Sequence, residues 1–216
     1  MDTKPTGEEA FDELAARYDS WFERHKGAYD SEVAALQKVI PGSGAGLEIG
    51  FGSGRFASVL GIKNGVEPSA SLRKMALQRG INVVDGVAES LPFSDESFDY
   101  ALFGTVLCFL DSPEQGLAEA RRVLKPEGLL VIAMIDRNSA LGKAYEARKH
   151  DNPFYKNAHF FSVEKVIKLL ENAQLRIKDI YQTIFSPLEK IKSMEPVKEG
   201  YGSGGFVVLA AEKTTD

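Results

Sequence analysis

LEIGFGSG, residues 47–54, is a short apolar run with one acid, Glu48, that opens into glycines at 50, 52 and 54. Its lead-in, GAGLEI with Gly46–Ile49 at the centre, suits a strand packed on both faces, which needs no polar alternation. Three glycines on alternate positions remove three Cβ atoms from a strand-to-helix turn. The chain can then take unusual φ values and lie directly against a ligand. The helix expected next offers unpaired N–H groups and a positive dipole end to electron-rich groups. The first expectation is a cradle for a nucleotide-like ligand.

Outward from this stretch, the chain alternates strand and helix. Arg55–Leu60 reads as the first crossover helix, Gly65–Glu67 as a brief strand, Ala70–Arg79 as a helix and Ile81–Asp85 as a third strand. Phe98–Phe103 is the fourth. Ser112-Pro113-Glu114-Gln115 joins a capping box to a proline at the first helical position. The stripe Leu117, Ala120, Leu124 is stopped by Lys125-Pro126-Glu127-Gly128, and Leu129–Ile135 is the strongest buried strand. Ser162 can cap a last helix with Val163, Val166, Ile167 and Leu170 facing inward. Leu175–Phe185 and Gly205–Ala211 follow without a helix between them and should pair antiparallel.

Such alternation demands an α/β fold: a Rossmann-like, doubly wound, mostly parallel sheet of seven strands with one antiparallel strand and helices on both faces. Two amphipathic helices precede it. Phe11, Leu14, Tyr18 and Phe22 form one stripe; Val33, Leu36, Val39 and Ile40 form another that ends at Pro41-Gly42. The organisation expected over 1–216 is one domain: a helical cap at 1–40, a ligand-binding core at 41–135, a partly helical substrate-side insertion at 136–161, and a last helix with the strand pair at 162–216.

Composition narrows the function classes. A net charge of −5 argues against a broad electrostatic footprint for nucleic acid. A single cysteine, Cys108, excludes an intramolecular disulfide framework and a cysteine-rich metal site. His25, His150 and His159 lack zinc spacing, so no metal is expected. No apolar run reaches the length of a membrane span, and MDTKPTGEEAFDEL has no signal-peptide core, so a cytoplasmic location is expected.

The spacing of the glycines decides between ligands. A dinucleotide fingerprint is G-x-G-x-x-G/A. Gly50 and Gly52 satisfy its first half, but the third position is Arg55, and the third glycine arrives early at Gly54. Glu48 would repel a pyrophosphate and suits a cationic ligand. The pattern E-x-G-x-G-x-G resembles motif I of the class I S-adenosylmethionine (SAM) dependent methyltransferases, of the UbiE-like or methyltransferase type 11 kind. Their cofactor carries an ammonium and a sulfonium and no phosphate.

Further segments carry the resemblance. Glu67, in VEPSASL with Pro68 beside it, stands where a carboxylate can accept both ribose hydroxyls; its alternative is to favour the positive end of the next helix. VVDGVAESLPF is similar to the family's G-D-A-x-x-L-P-F. Aligned on Leu91-Pro92-Phe93, it puts Ala88 where the family offers a backbone N–H to adenine. The family's acid falls on Val87, and Asp85 stands two positions earlier. Val87 could pack on the purine face instead. Gly104, Thr105 and Val106 would line the sulfonium end, and KPEG matches the family's lysine-proline-glycine turn. The N-terminal Phe11…Tyr18-Asp19-x-Trp21-Phe22 resembles the first helix of small-molecule methyltransferases, where an aromatic group helps close the site. Core packing of a cap helix is the alternative for Tyr18 and Trp21.

The resemblance implies methyl transfer from SAM to a small-molecule acceptor by in-line displacement. Nucleic acid is disfavoured, because strand four ends in FGTV rather than the Asn/Asp-Pro-Pro-Tyr of amino-directed nucleic-acid methyltransferases. No catalytic triad or metal cluster is required. If the acceptor needs a general base, Tyr18, Tyr155 and His159 are the candidates. Two other readings stay open: a SAM-binding interaction module without turnover, and an NAD(P)-dependent oxidoreductase, which fails at Arg55 and leaves Glu48 unexplained.

Overall fold

A computed structural model describes residues 8–214. Positions 1–7 of the expected cap and 215–216 of the closing segment lie outside the described residues. The elements in chain order are α1 (Glu8–Glu13), α2 (Ala15–Arg24), α3 (Lys26–Leu36), β1 (Gly46–Ile49), α4 (Arg55–Leu60), β2 (Asn64–Val66), α5 (Ala70–Gln78), β3 (Asn82–Val84), β4 (Phe98–Gly104), α6 (Pro113–Val123), β5 (Leu124–Ile135), α7 (Ala140–Arg148), α8 (Val163–Asn172), β6 (Leu175–Thr183), β7 (Lys198–Glu199) and β8 (Phe206–Lys213).

The strands form one sheet in the order β3-β2-β1-β4-β5-β8-β6-β7. From β3 to β5 all neighbours are parallel. β8 inserts antiparallel between β5 and β6, pairing Ile132 with Leu209 and Leu209 with Ile180. The expected seven-strand arrangement is therefore present, with an eighth, two-residue strand, β7, added antiparallel at the edge. The order reverses direction between β1 and β4, so the switch point lies at the glycine turn that follows β1.

Helices cover both faces. Leu47, Ile49, Ala101 and Phe103 point to one face, where Leu117 of α6 and Val166, Leu169 and Leu170 of α8 meet them. Tyr100, Leu102, Val131 and Phe206 point to the other, against Leu36 of α3, Phe56 and Ala57 of α4 and Ala76 of α5. All four residues of β1 are buried, as a central parallel strand requires. Glu48 is buried with the rest of the strand.

Local differences from the sequence reading have physical causes. The N-terminal helices number three among the described residues, because the backbone leaves helical geometry at Leu14 and again at His25. Ser112 starts α6 with Pro113 at its first turn, but its side chain makes no capping bond. Glu89 instead fixes the entry to the helix, its Oε1 accepting from the Asp111 and Ser112 N–H groups at 3.0 and 3.3 Å. KPEG is not a free turn. Leu124, expected on the helix, already pairs with Phe98 in β5, and the chain bulges before Tyr100 pairs with Leu129. Ser162 caps α8 as expected, accepting from the Lys165 N–H.

Candidate active site

The turn after β1 is held by backbone and carboxylate together. The N–H groups of Gly50 and Phe51 donate to the Val66 carbonyl at 2.9 and 3.1 Å. Gly50 and Gly52 have φ of 67° and 56°, a region that side chains disfavour. A Cβ at Gly50 would lie 2.2 Å from Val106 Cγ2, and one at Gly52 would lie 3.0 Å from the Tyr18 hydroxyl. Gly54 is the left-handed N-cap of α4. Glu67, at the end of β2, ties the turn to the neighbouring loop. Its Oε2 accepts from Gly52 N–H at 2.8 Å and its Oε1 from Ser69 N–H at 3.0 Å. Arg73 fixes the same corner, donating to the carbonyls of Glu67 and Pro68 and pairing with Asp85 at 2.8 Å.

Glu48 is the second buried acid, only 1% exposed. Its Oε2 has no hydrogen-bond partner among the described residues. Gly104 of β4 makes room for the carboxyl; a Cβ there would come within 2.6 Å of Oε1. Burial drives its pKa well above the carboxylate range, the Ala57 backbone opposes, and the negative Glu67 raises it further. An orphaned buried carboxyl oxygen beside a positive-φ turn calls for a cationic partner.

Helix α2 is fastened to this turn by ion pairs. Asp19 accepts from Ser53 Oγ at 2.5 Å, from Arg55 Nε and Nη2 at 2.8 and 2.6 Å, and from Arg79 Nη2 at 3.0 Å. Arg79 also donates to the Ser53 carbonyl at 2.6 Å. Burial opposes ionisation of Asp19, but the bonds from Arg55 and Ser53 and the charges of Arg79 and Arg55 bring its pKa down to about 2. Arg55, which breaks the dinucleotide pattern in the sequence, is here the residue that clasps the cap. Asp12 makes a second fastening, accepting from Ser69 Oγ and Ser71 N–H at 2.9 and 2.8 Å at the start of α5.

Beside the turn, at the carboxyl ends of the parallel strands, is a cavity of about 510 Å³. Tyr18, Trp21 and Phe22 of α2, Thr105 after β4, Tyr145 of α7, and Phe154, Tyr155 and Phe160 of the insertion contribute to its wall. Cap and insertion meet directly: Phe11 packs on Tyr18, Phe109 and Phe154 with ring centroids 5.4, 5.2 and 5.2 Å apart. Thr105 and Ile184, both on the wall, have φ of 60° and 62°, strained conformations concentrated at this mouth. Cys108 also reaches it, and burial pushes its thiol up to about 12, which keeps it protonated.

The structure places the remaining sequence candidates unevenly. Ala88 is buried and Val87 is 45% exposed beside it, an apolar side chain left open at the edge of the turn. Gly104 and Thr105 end β4 beside Glu48, and Val106 covers Gly50. Tyr18 and Tyr155 both face the cavity, but not as bases. Burial raises the Tyr18 phenol strongly, with Glu67 and Glu48 adding to the effect; burial and Tyr145 do the same for Tyr155. Both hold their protons at neutral pH, so neither serves as a base. His159 is exposed and outside the cavity wall, its backbone N–H bonded to the Cys108 carbonyl at 2.7 Å. Glu32 of α3, which the sequence reading passed over, lines the cavity at 7% exposure. One signal for it was available: Glu32 follows Ala28 by four residues and precedes Leu36 by four, on the helix face that is buried.

Comparison with known proteins decides the family. A methyltransferase-domain profile matches residues 47–132. An uncharacterised protein of Methanocaldococcus jannaschii is 47% identical over 94% of this chain and 98% of its own length. A solved SAM-dependent methyltransferase of Thermotoga maritima, described as a possible histamine N-methyltransferase, is 46% identical over 94% of this chain and 98% of that one, with a TM-score of 0.92. The chain belongs to the SAM-dependent methyltransferases. A demethylmenaquinone methyltransferase of Staphylococcus aureus is a more distant relative, 24% identical over 95% of this chain and 86% of its own length.

As a methyltransferase the molecule binds SAM and acts on a methyl acceptor. The turn fits that cofactor in its chemistry. Glu48 supplies an unpaired buried carboxyl oxygen for a cation, the glycines supply a side-chain-free surface, and Glu67 holds a carboxylate at the end of the neighbouring strand, fixed by the Gly52 and Ser69 N–H groups. Among the described residues no helix is long and apolar enough to cross a membrane, and no cluster of histidine, cysteine or acidic side chains could hold a metal ion.

Proposed function

We propose that this methyltransferase carries the methyl group of SAM to a small-molecule acceptor held in the aromatic cavity. The observation that carries this reading is the adjacency of the two sites. Tyr18 lines the cavity while its hydroxyl rests against Gly52, and Thr105 lies on the cavity wall at the end of the strand that abuts Glu48.

Within this reading Glu48 pairs with the ammonium of the methionine moiety, and the Gly50, Gly52 and Gly54 backbone lies along it. Glu67, with Pro68 beside it, takes the ribose hydroxyls. Ala88 offers its N–H to adenine, Val87 covers the purine face, and Gly104, Thr105 and Val106 border the sulfonium. When bound, SAM supplies a methyl group already activated by its sulfonium. The protein's task is therefore to align a nucleophile and exclude water, and alignment alone can be worth ~7–11 kcal/mol of barrier. Tyr18 and Tyr155, as fixed phenol donors, orient the acceptor.

Three observations support a small acceptor. The cavity is walled by rings and bounded by both cap and insertion, within the usual size of a ligand pocket. The net charge of −5 disfavours a polyanionic substrate. The Thermotoga and Staphylococcus relatives are described as acting on, respectively, histamine as a possibility and demethylmenaquinone. The test is transfer from methyl-labelled SAM into three pools: a small-metabolite extract, total RNA and denatured protein. Label in the metabolite pool alone is expected; label in RNA or protein alone would overturn the assignment.

A further inference from the structure

Glu32 has no partner that explains its burial. It sits on α3 between Ser31 and Val33, and among the described residues no hydrogen bond or ion pair reaches its carboxyl. The desolvated acid has a pKa raised to about 8 by burial alone. A carboxyl group in such a place costs stability unless something it binds repays it. The part of its surroundings that is not protein is the cavity, and the walls there are rings: Trp21, Phe22, Tyr145 and Tyr155. Ring faces are negative and attract a cation, more so when it is desolvated. A carboxyl group in a cavity walled by aromatic rings is the chemistry of an ammonium site.

We propose that Glu32 is the acceptor-binding carboxylate of this enzyme, that it selects a small primary or secondary amine with an apolar body, and that it takes the amine's proton. The inference rests on the methyltransferase reading above and adds the acceptor class and the group that serves it. An ammonium has no free lone pair and cannot attack carbon. Its proton passes to a Glu32 oxygen. The freed lone pair forms the new N–C bond, and the sulfonium sulfur keeps the electron pair of the broken C–S bond. The methylated nitrogen leaves as a cation, and the Glu32 proton returns to water. A hydroxyl acceptor gains little here, because an alcohol is a far weaker acid than an ammonium and a carboxylate is too weak a base to take its proton.

The charged groups that border the cavity leave Glu32 unpaired. Arg17, Arg24 and Arg148 border the cavity, as does Glu189, and none of them pairs with Glu32. The phenols Tyr18, Tyr29, Tyr145 and Tyr155 all feel its negative charge, which raises them further. They remain neutral donors, so Glu32 is the group near neutrality that changes charge.

The experiment is calorimetric titration of the full chain, saturated with S-adenosylhomocysteine, by 2-phenylethylamine and by 2-phenylethanol. It is run near pH 7 in two buffers of different ionisation enthalpy, on wild type, Glu32→Gln and Glu32→Asp. The wild type should bind the amine at least about tenfold more tightly than the alcohol. It should release about one proton per site, because the bound cation converts Glu32 to its carboxylate. Glu32→Gln should weaken amine binding about tenfold or more and abolish the proton release, while S-adenosylhomocysteine binds it as it binds wild type. Glu32→Asp should retain the release. Equal affinity for amine and alcohol, or unchanged amine binding and proton release in Glu32→Gln, would overturn the proposal. Failure of S-adenosylhomocysteine to bind wild type would instead overturn the cofactor site, with the two amine arms still reading Glu32 directly. Glutamine is isosteric and neutral, so circular dichroism and Tm should show a folded variant.

Discussion

Gly50 and Glu67 shape the cofactor turn by opposite means, one by lacking a side chain and the other by accepting two backbone N–H groups. Gly50→Ala sets a Cβ against Val106 at a φ of 67°. Destabilisation of about 1–3 kcal/mol and loss of S-adenosylhomocysteine binding are expected, measured by chemical denaturation and by titration. Glu67→Ala leaves the Gly52 and Ser69 N–H groups without their acceptor, at a cost of about 1–3 kcal/mol, and would remove the proposed ribose contact as well. At Glu32 the folded-state pKa of about 8 lies above the ordinary 4.5, so the native protein holds this proton more tightly than the unfolded chain. Its contribution is whole below about pH 4.5 and is lost as pH rises through 8. The Tm of wild type should therefore fall more steeply than that of Glu32→Gln between about pH 5 and pH 9, as thermal melts at fixed ionic strength would show. Equal slopes would contradict a buried, unpaired carboxyl. The glycines and both strand-end acids were legible in the sequence because their meaning lies in local backbone geometry. Glu32 carried only the helical-face signal of Ala28 and Leu36; that it lines a cavity depends on segments far from it in sequence, which no local pattern records.

At the scale of elements, Asp19 matters most, since a residue of the cap helix α2 anchors Arg55, Arg79 and Ser53 of the cofactor turn. Its pKa is held at about 2 against an ordinary 3.8, so the contribution is present above about pH 4 and is lost as pH falls through 2. Asp19→Asn should lower stability by about 2 kcal/mol at neutral pH, a Tm drop of several degrees, because two guanidinium groups lose their counter-charge. It should also weaken S-adenosylhomocysteine binding, since Ser53 belongs to the turn; unchanged affinity would show that cap and turn are only neighbours. Helix starts at Pro113 and Ser162 were readable from proline and capping chemistry, and the alternation of β1 to β5 from buried apolar runs. Two things were not. Ser112 makes no capping bond, and its own N–H donates to Glu89, a residue 23 positions away. β7 is a pair of charged residues, Lys198 and Glu199, made a strand only by Tyr181 and Gln182 beside it.

Across the whole molecule, the glycine turn proposed for the cofactor lies in the parallel half of the sheet, and the cap and insertion wall the cavity proposed for the acceptor, with Tyr18 and Thr105 bordering both. Fold class followed from the order of strands and helices, and the cofactor from Glu48 and the glycine spacing. The acceptor stayed hidden, because the cavity is assembled from residues 17 to 205, in segments whose spacing has no period. The measurement that tests this account most directly is titration of the intact chain with S-adenosylhomocysteine, with NAD as the comparison and Glu67→Ala as the control. One site per chain that SAM competes for, with affinity lost in Glu67→Ala and no heat from NAD, is the predicted result. Binding of NAD alone, or S-adenosylhomocysteine affinity indifferent to Glu67, would contradict it.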